Sequence, residues 1–217
     1  MTAPPLPLAV LASGEGTNLQ ALLDTVHGRE AQVVAVASDT PGCRALERAQ
    51  AAGVPGHAFP RADFASREAR DQAIAAWLRE RGAEAVVLAG YMALLSPGFV
   101  RAFPDRMLNV HPSLLPAFPG LHAIEQALDH GVKVFGVTVH LVDEGVDTGP
   151  IVLQGAVELP DARDPAEVLA ALRPLEHTLL PQAVRLLAAG AVRRDPERPR
   201  RLIVAQPARC APEDSSS

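Results

Sequence analysis

The sequence predicts an α/β protein: a single Rossmann-like, doubly wound and mostly parallel sheet, with helices on both faces and an antiparallel strand pair near the C-terminus. Short apolar runs alternate with runs of helical periodicity along most of the 217 residues. The run from Ala85 to Ala89 is entirely apolar, which is typical of a parallel strand covered on both faces. The link at 143–150 between the last two long β-prone runs is too short for a crossover, so those strands should be antiparallel.

The first half of the chain alternates strands and helices. The strand from Leu8 to Ala12 leads into a glycine-containing turn at 13–18, and a helix with regularly spaced leucines follows up to Val26. Ser66 can cap a helix that ends at Gly82. Further predicted segments are strands at 32–38 and 85–89, a short strand or extended connection at 54–59, and a helix at 43–52.

The second half ends in a long predicted helix. Asp164 as the cap, a proline directly after it and Glu167 indicate a helix start, and the helix can continue to Ala189. Because Pro174 and Pro181 lie inside it, we expect a break or kink near each. The preceding segments are predicted as helices at 96–103 and 122–130 and as strands at 107–111, 133–142 and 151–159.

No internal repeat or linker divides the chain. The simplest division is an N-terminal extension at 1–7, one domain at 8–192, and a partly disordered C-terminal tail at 193–217. The clustered arginines and prolines of the tail leave one strand, predicted at 202–205.

The composition excludes several classes of partner. A net charge of −5 argues against a nucleic-acid or anionic-membrane surface. Cys43 and Cys210 lie far apart without metal-ligand spacing, which disfavours a disulfide framework or a metal site. No segment approaches the roughly 18 consecutive apolar residues of a membrane span. We therefore expect a cytoplasmic protein without a nucleic-acid or membrane partner, and a monomer and a homodimer both stay open.

Asn109 and His111 are the first candidate functional residues. The side-chain period of a strand places both on one face, and Pro112 ends the strand because it lacks an N–H. The pair then lies at the carboxyl end of the sheet, where α/β proteins bind ligands. An amide and an imidazole can donate there to a carbonyl oxygen, and His111 can also move protons. The alternative is a polar pair that only closes the strand end.

The turn at 13–18 is a candidate anion site. It brings backbone N–H groups of Gly16, Thr17 and Asn18 to a helix N-terminus, where unpaired donors and the helix dipole favour an anion. The spacing matches neither the dinucleotide fingerprint nor the nucleoside-triphosphate loop, so a monophosphate fits best. A tight turn that binds nothing is the alternative.

Asp147 lies in an acidic loop bracketed by glycines. A carboxylate placed against His111 would favour the protonated imidazole and orient it, although Asp-Thr-Gly is also a good turn sequence. No serine or cysteine has the context of an activated nucleophile, and the other histidines form no metal pattern. An amide, an imidazole and a carboxylate suit direct transfer of an acyl group between two bound substrates.

Five strings, taken in order, resemble the phosphoribosylglycinamide formyltransferase family. They are Ser13-Gly14-Glu15-Gly16-Thr17-Asn18-Leu19-Gln20, Leu88-Ala89-Gly90-Tyr91-Met92, Asn109-Val110-His111-Pro112-Ser113-Leu114-Leu115-Pro116, Gly136-Val137-Thr138-Val139-His140 and Asp147-Thr148-Gly149-Pro150. Their order and spacing hold over most of residues 8–190. The third string with a later aspartate is shared by enzymes that use 10-formyltetrahydrofolate, whereas the first points to the glycinamide ribonucleotide member.

The resemblance implies that 8–192 is a formyltransferase catalytic domain. It would transfer the formyl group of 10-formyltetrahydrofolate, as co-substrate and without a metal, to the glycine amine of 5'-phosphoribosylglycinamide in de novo purine biosynthesis. Asn109 and His111 would stabilise the oxyanion. Asp147 would hold His111 protonated and help to carry the amine proton through water to the folate nitrogen.

The resemblance also implies binding residues. The phosphate would lie on Gly16, Thr17 and Asn18, and Glu176 would reach the ribose hydroxyls. The folate would contact Met92, Ala93, Leu94 and Leu95 largely through backbone, Arg67 near its glutamate end, Asn109, and the loop from Asp143 to Asp147 over the pterin. Ala93 stands where the family often has an arginine, and Pro174 comes just before Glu176.

Three other functions compete with this one. A methionyl-tRNA formyltransferase would need a basic RNA-binding extension, which this acidic chain lacks. A formyltetrahydrofolate hydrolase would be expected to carry an added N-terminal regulatory domain, whereas the first strand is predicted by Leu8. A nucleotide-binding sensor with the same sheet would leave Asn109, His111 and Asp147 without a role.

Overall fold

The computed structural model of the protein describes residues 4–198 and 200–204. The strands in this part of the chain are β1 (Leu6–Leu11), β2 (Ala31–Ser38), β3 (Gly56–Ala58), β4 (Ala85–Leu88), β5 (Met107–His111), β6 (Val134–Leu141), β7 (Ile151–Glu158), β8 (Val192–Arg194) and β9 (Leu202–Val204). The helices are α1 (Thr17–Thr25), α2 (Arg44–Ala51), α3 (Arg67–Glu80), α4 (Pro97–Ala102), α5 (Ala123–Asp129) and α6 (Pro165–Ala188), with a short 3-10 turn at Arg61–Asp63.

Strands β1 to β7 form one sheet in the order β3-β2-β1-β4-β5-β6-β7. The strands β1 to β5 pair in parallel, whereas β6 is antiparallel to both β5 and β7. The winding direction reverses between β1 and β4, and doubly wound sheets bind ligands at the carboxyl ends of the strands beside such a reversal. The predicted fold class and the antiparallel pair are confirmed. The antiparallel contact between β5 and β6 is an additional finding.

Two apolar layers cover the sheet. Leu8 of β1 packs in the layer formed with α1, α5 and α6, whereas Leu11 packs with Ile74 of α3 and Phe99 of α4 on the other face. All four side chains are nearly or fully buried. The strand period of two thus distributes apolar residues to both faces, as expected of a central parallel strand.

Helix α6 continues without a break through both Pro174 and Pro181. Of the predicted break or kink, the break is therefore wrong and the kink stays a prediction. An internal proline costs about 3 kcal/mol because it removes a hydrogen bond and crowds the preceding turn. The helix, however, buries an apolar stripe that includes Val168, Leu172 and Leu180, and each fully buried side chain of this kind contributes about 1.5–3 kcal/mol. Tertiary packing along the whole stripe therefore outweighs the local preference of the two prolines.

The ends of the described chain add smaller elements. Strand β1 begins at Leu6 rather than Leu8, because the Leu6 N–H donates to the Glu30 carbonyl at 3.0 Å. Strands β8 and β9 pair in a separate antiparallel sheet, which confirms the predicted strand for residues 202–204. Residues 1–3, 199 and 205–217 lie outside the described residues, and with them most of the tail predicted to be partly disordered.

Among residues 4–198 and 200–204, no helix combines the length and hydropathy needed to span a membrane.

A buried ion pair joins α3 to the segment that follows β4. Arg70 Nη2 lies 2.9 Å from Asp71 Oδ1, and both side chains are nearly inaccessible to solvent. The second oxygen of Asp71 accepts a hydrogen bond from the Ser96 N–H at 2.5 Å, and Arg70 reaches the Leu94 carbonyl at 3.4 Å. The pair therefore holds the chain between β4 and α4 against α3.

Replacement of Asp71 by Asn is expected to destabilise the fold by about 3 kcal/mol, because it leaves the Arg70 guanidinium buried without a counter-charge. Urea unfolding followed by circular dichroism measures the change. Asp63→Asn removes the same charge from an exposed position and should change the free energy of unfolding by less than about 0.5 kcal/mol. Equal stability of the two variants would contradict a structural role for the ion pair.

Candidate active site

The carboxyl end of β5 places Asn109 and His111 on one face of the sheet, as the sequence predicts. Antiparallel pairing sets His140 of β6 directly opposite Asn109. The sheet edge also carries the turn after β1 and the segment after β4, which are joined because Ser13 Oγ accepts a hydrogen bond from the Met92 N–H at 2.9 Å. Residues of β5 and β6 and of the segments that follow β1 and β4 therefore lie at one end of the sheet.

Asp147 is held in place by its loop, residues 143–149. Asp143 Oδ1 accepts hydrogen bonds from the Gly145 N–H at 3.1 Å and from Thr148 Oγ1 at 2.6 Å, which closes the loop on itself. A Cβ at Gly149 would collide with the Leu141 carbonyl oxygen, so only glycine lets the loop lie this close to β6. Asp143 thus shapes the loop that carries Asp147.

The three residues Asn109, His111 and Asp147 come together. Asn109 Nδ2 donates to Asp147 Oδ1 at 3.1 Å, and His111 Nδ1 lies 3.4 Å from Asp147 Oδ2. The other ring nitrogen of His111, Nε2, is 2.9 Å from the Phe118 carbonyl oxygen, and the Gly120 N–H donates to Asp147 at 2.8 Å. Both ring nitrogens of His111 face oxygen acceptors, an arrangement that the doubly protonated imidazolium satisfies fully.

The surroundings of Asp147 keep it ionised. Burial by itself would raise the pKa of this carboxyl, but hydrogen bonds from His140 and the Gly120 N–H, together with the charges of His111 and His140, lower its pKa overall. Asp147 is therefore a negative charge at neutral pH. It can stabilise a positive charge on His111.

His140 is a functional candidate that the sequence analysis missed. Its side chain is 2% exposed, its Nδ1 lies 2.8 Å from the Leu141 carbonyl oxygen, and its Nε2 lies 3.5 Å from Asp147 Oδ1. Asn109 Nδ2 is 3.1 Å from that nitrogen. Asn109 thus uses at least one of its two amide hydrogens on Asp147, and the His140 ring lies beside the same amide group.

The turn after β1 meets α6 through a buried hydrogen bond. Asn18 Nδ2 donates to Glu176 Oε2 at 3.0 Å, although 158 positions separate the two residues. Gly16 adopts a left-handed φ of 67° at the N-cap of α1, and a Cβ there would lie 2.7 Å from Ala45 Cα. Glycine is thus required where the turn packs on α2, and the residues Gly16, Thr17, Asn18 and Glu176 form one cluster.

Burial governs the ionisation of Glu176. The side chain is 8% exposed, and this burial raises its pKa, while the hydrogen bond from Asn18 and the charge of Arg173 offset the rise only in part. The remaining polar atom of Asn18, Oδ1, is buried without a hydrogen-bond partner among the described residues. An unpaired acceptor beside a buried carboxyl with a raised pKa suits a site that a polar ligand completes.

A cavity of about 620 Å³ lies beside the segment that follows β4. Its lining brings Arg67 together with Met92, Ala93 and Leu94. Met92 is 69% exposed and Leu94 is 61% exposed. Its further lining residues are Asp39, Arg61, Glu68 and Arg70. Leu95 instead packs against the core layer of α3 and α4, and neither Leu95 nor Asp143 lines this cavity. The cavity combines apolar surface with three arginines and two carboxylates, and Arg70 is already paired with Asp71. Such a mixed lining fits an elongated ligand with apolar and polar parts.

In the described part of the chain, no group of three histidine, cysteine or acidic side chains is arranged to hold a metal ion. The candidate site consists of a carboxylate with an amide and two imidazoles around it, a turn of backbone donors, and the arginine-lined cavity. This is a constellation for acyl transfer between two bound ligands. Residues 6–184 match the family model described as formyl transferase, and the chain belongs to the formyl transferase family.

Curated proteins and a solved structure show which members of the family are similar to this chain. The phosphoribosylglycinamide formyltransferase of Mycobacterium tuberculosis is 47% identical over 189 residues, which cover 87% of each chain. The trifunctional purine biosynthetic protein adenosine-3 of Drosophila pseudoobscura is 44% identical over 89% of this chain, which spans only 14% of that protein's length. The crystal structure of glycinamide ribonucleotide transformylase 1 from Symbiobacterium toebii superposes with a TM-score of 0.87 at 43% identity, over 93% of this chain and 95% of that one.

The variant Glu176→Gln is expected to stabilise the free protein at neutral pH. A carboxyl whose pKa is raised by folding destabilises the folded state above that pKa, and the cost disappears as the pH falls below the unfolded value of about 4.3. Glutamine keeps an oxygen that can accept from Asn18. Tm should rise by roughly 2–4 °C at neutral pH, the effect of about 1 kcal/mol in a chain of this size.

Thermal melts across the acidic and neutral range measure this gain, which should vanish at the acidic end. Glu84→Gln removes the same charge from an exposed position and should show no such pH-dependent gain. A Tm for Glu176→Gln at or below that of the wild type at neutral pH would mean that the buried carboxylate is not a cost to the fold.

Proposed function

We propose that this protein transfers the formyl group of 10-formyltetrahydrofolate to the glycine amine of 5'-phosphoribosylglycinamide. The products are formylglycinamide ribonucleotide and tetrahydrofolate, and the reaction is a step of de novo purine biosynthesis. The observation that carries the proposal is the convergence of Asn109, His111 and His140 on the Asp147 carboxylate. The relatives described above, which are named for this formyl transfer to phosphoribosylglycinamide, support it.

The chemistry follows from the charges around the formyl carbon. The substrate amine attacks that carbon, and the carbonyl oxygen becomes an oxyanion, which the His111 imidazolium and the Asn109 amide stabilise by donation. His111 donates through Nε2, which exchanges its contact with the Phe118 carbonyl for the oxyanion, while Nδ1 stays against Asp147. The bond from the formyl carbon to the folate nitrogen then breaks. Asp147 balances the charge of His111 and helps to pass the amine proton through water to the departing nitrogen. Asn109 exchanges its contact with His140 or Asp147 for the contact with the oxyanion.

The two substrates approach from different sides of this centre. The phosphate of the ribonucleotide lies on the N–H groups of Gly16, Thr17 and Asn18, and Glu176 accepts from the ribose hydroxyls. The folate lies along Met92, Ala93, Leu94 and Leu95 with its glutamate end toward Arg67. Arg61 lines the same cavity, so a second cationic group besides Arg67 lies near the folate tail although position 93 is an alanine. The loop from Asp143 to Asp147 closes over the pterin.

Absorbance change on deformylation of 10-formyl-5,8-dideazafolate, measured with and without glycinamide ribonucleotide, tests the proposal. Turnover that requires the ribonucleotide is the expected result. Deformylation without it would identify a hydrolase, and binding of the ribonucleotide without any turnover would identify a sensor. Either outcome would overturn the proposed activity.

The variant His111→Ala is expected to lose about 10²–10⁴-fold in kcat, because it removes the donor to the oxyanion and a proton carrier. Its circular dichroism spectrum should match that of the wild type, since the residue lies at the end of a strand. His57→Ala, at the exposed edge strand β3, is the matched control and should retain activity. A His111→Ala enzyme with unimpaired kcat would exclude this residue from the chemistry.

For Asp147→Asn we expect a similar loss of kcat and a shifted acidic limb of the pH–rate profile. The lowered pKa of Asp147 keeps the wild type in its active, ionised form until the pH falls below the ordinary value of about 3.9. Because asparagine cannot titrate, the acidic limb of the variant's pH–rate profile should no longer contain the protonation of residue 147. Profiles of kcat/KM against pH, with exposed Asp129→Asn as control, measure the difference, and an unchanged profile would remove Asp147 from the mechanism.

A further inference from the structure

Helix α2 supports the turn after β1 through one arginine. Arg48 Nε donates to the Glu15 carbonyl oxygen at 2.8 Å, and its Nη1 donates to Gln20 Oε1 at 3.0 Å. The Ala45 N–H donates to the neighbouring Gly14 carbonyl at 3.0 Å. Two successive carbonyl groups of the turn therefore point toward α2.

This contact orients the donors of the turn. In a trans peptide unit the C=O and N–H groups point in opposite directions. Because the Glu15 carbonyl is drawn toward Arg48, the N–H of Gly16 in the same peptide unit points away from α2. Gly16 is the first of the three residues assigned to the phosphate, so Arg48 sets the direction of one of the phosphate donors.

The second hydrogen bond of Arg48 extends the support to α1. Gln20 lies in the first turns of α1, and its backbone N–H donates to the Gly16 carbonyl at 2.9 Å. Arg48 thus connects the turn and the helix N-terminus from outside, with two donors of one planar guanidinium. A lysine has a single ammonium group and cannot reproduce this fork geometry.

We propose that Arg48 is a positioning residue for the phosphate of the ribonucleotide, which acts by fixing the peptide units of residues 14–16. The inference rests on the proposed function, because it takes the turn to be the phosphate site. Arg48 does not touch the reacting atoms. Its loss should weaken phosphate binding and leave the formyl transfer step unchanged.

The variant Arg48→Met tests this directly. KM for glycinamide ribonucleotide should rise about tenfold, the loss expected from one misoriented charge-assisted hydrogen bond, while kcat and KM for the folate stay within about twofold. Arg44→Met is the matched control. It removes the same charge from α2, at an exposed side chain that is paired with Glu47, and should leave all three constants unchanged.

The variant Arg48→Lys separates geometry from charge. It should recover only part of the lost affinity, and full recovery would mean that the charge alone matters, which would overturn the proposal. A fall in kcat and in both KM values together with a lower Tm for Arg48→Met would indicate a general structural defect and would also contradict it.

Binding of inorganic phosphate, followed by NMR titration of the backbone amides, provides a readout without turnover. Arg48→Met should bind phosphate about tenfold more weakly than the wild type. If the wild type fails to transfer the formyl group but this difference is found, the proposed function fails and the role of Arg48 stands. If the wild type is active and Arg48→Met binds phosphate as tightly as the wild type does, only the role of Arg48 is excluded.

Discussion

The candidate site depends on one half-buried carboxylate. Asp147 receives hydrogen bonds from Asn109 of β5 and from the Gly120 N–H, and it faces His111 and His140. A carboxylate that loses water but gains several donors stays ionised, and its charge then orders those donors around it. A shift of the loop at 143–149 would therefore disturb an amide and two imidazoles together. The geometry of the candidate site thus depends on how this short loop between β6 and β7 closes.

The reversal of strand direction at β6 is what lets this cluster form. A parallel neighbour would follow β5 only after a crossover, whereas β6 runs antiparallel and places His140 across from Asn109 in register. The first five strands form the parallel frame that carries the turn after β1 and the arginine-lined cavity. The candidate ligand sites thus lie on the parallel part of the sheet, and the cluster around Asp147 lies where β5 meets the antiparallel strand β6.

Local patterns predicted the fold and the pair Asn109 and His111, since apolar runs and a period of two need no knowledge of distant contacts. The placement of Asp147 against His111 was a hypothesis from composition and resemblance, because a glycine-bracketed loop can close in several ways. His140 was missed because a single histidine in an apolar β-prone run looks like part of the core, and only cross-strand register reveals its partner. The contact of Arg48 with the turn likewise depends on how α2 packs.

The exposure of Met92 and Leu94 has a thermodynamic consequence. Both side chains stand in water at the mouth of the cavity in the free protein, and an aromatic ring system that settles there displaces that hydration. Burial of apolar surface gives complex formation a negative change in heat capacity. Under the proposed function, the enthalpy of folate binding becomes steadily more favourable on warming, while the opposing entropy change keeps the affinity itself much less sensitive to temperature.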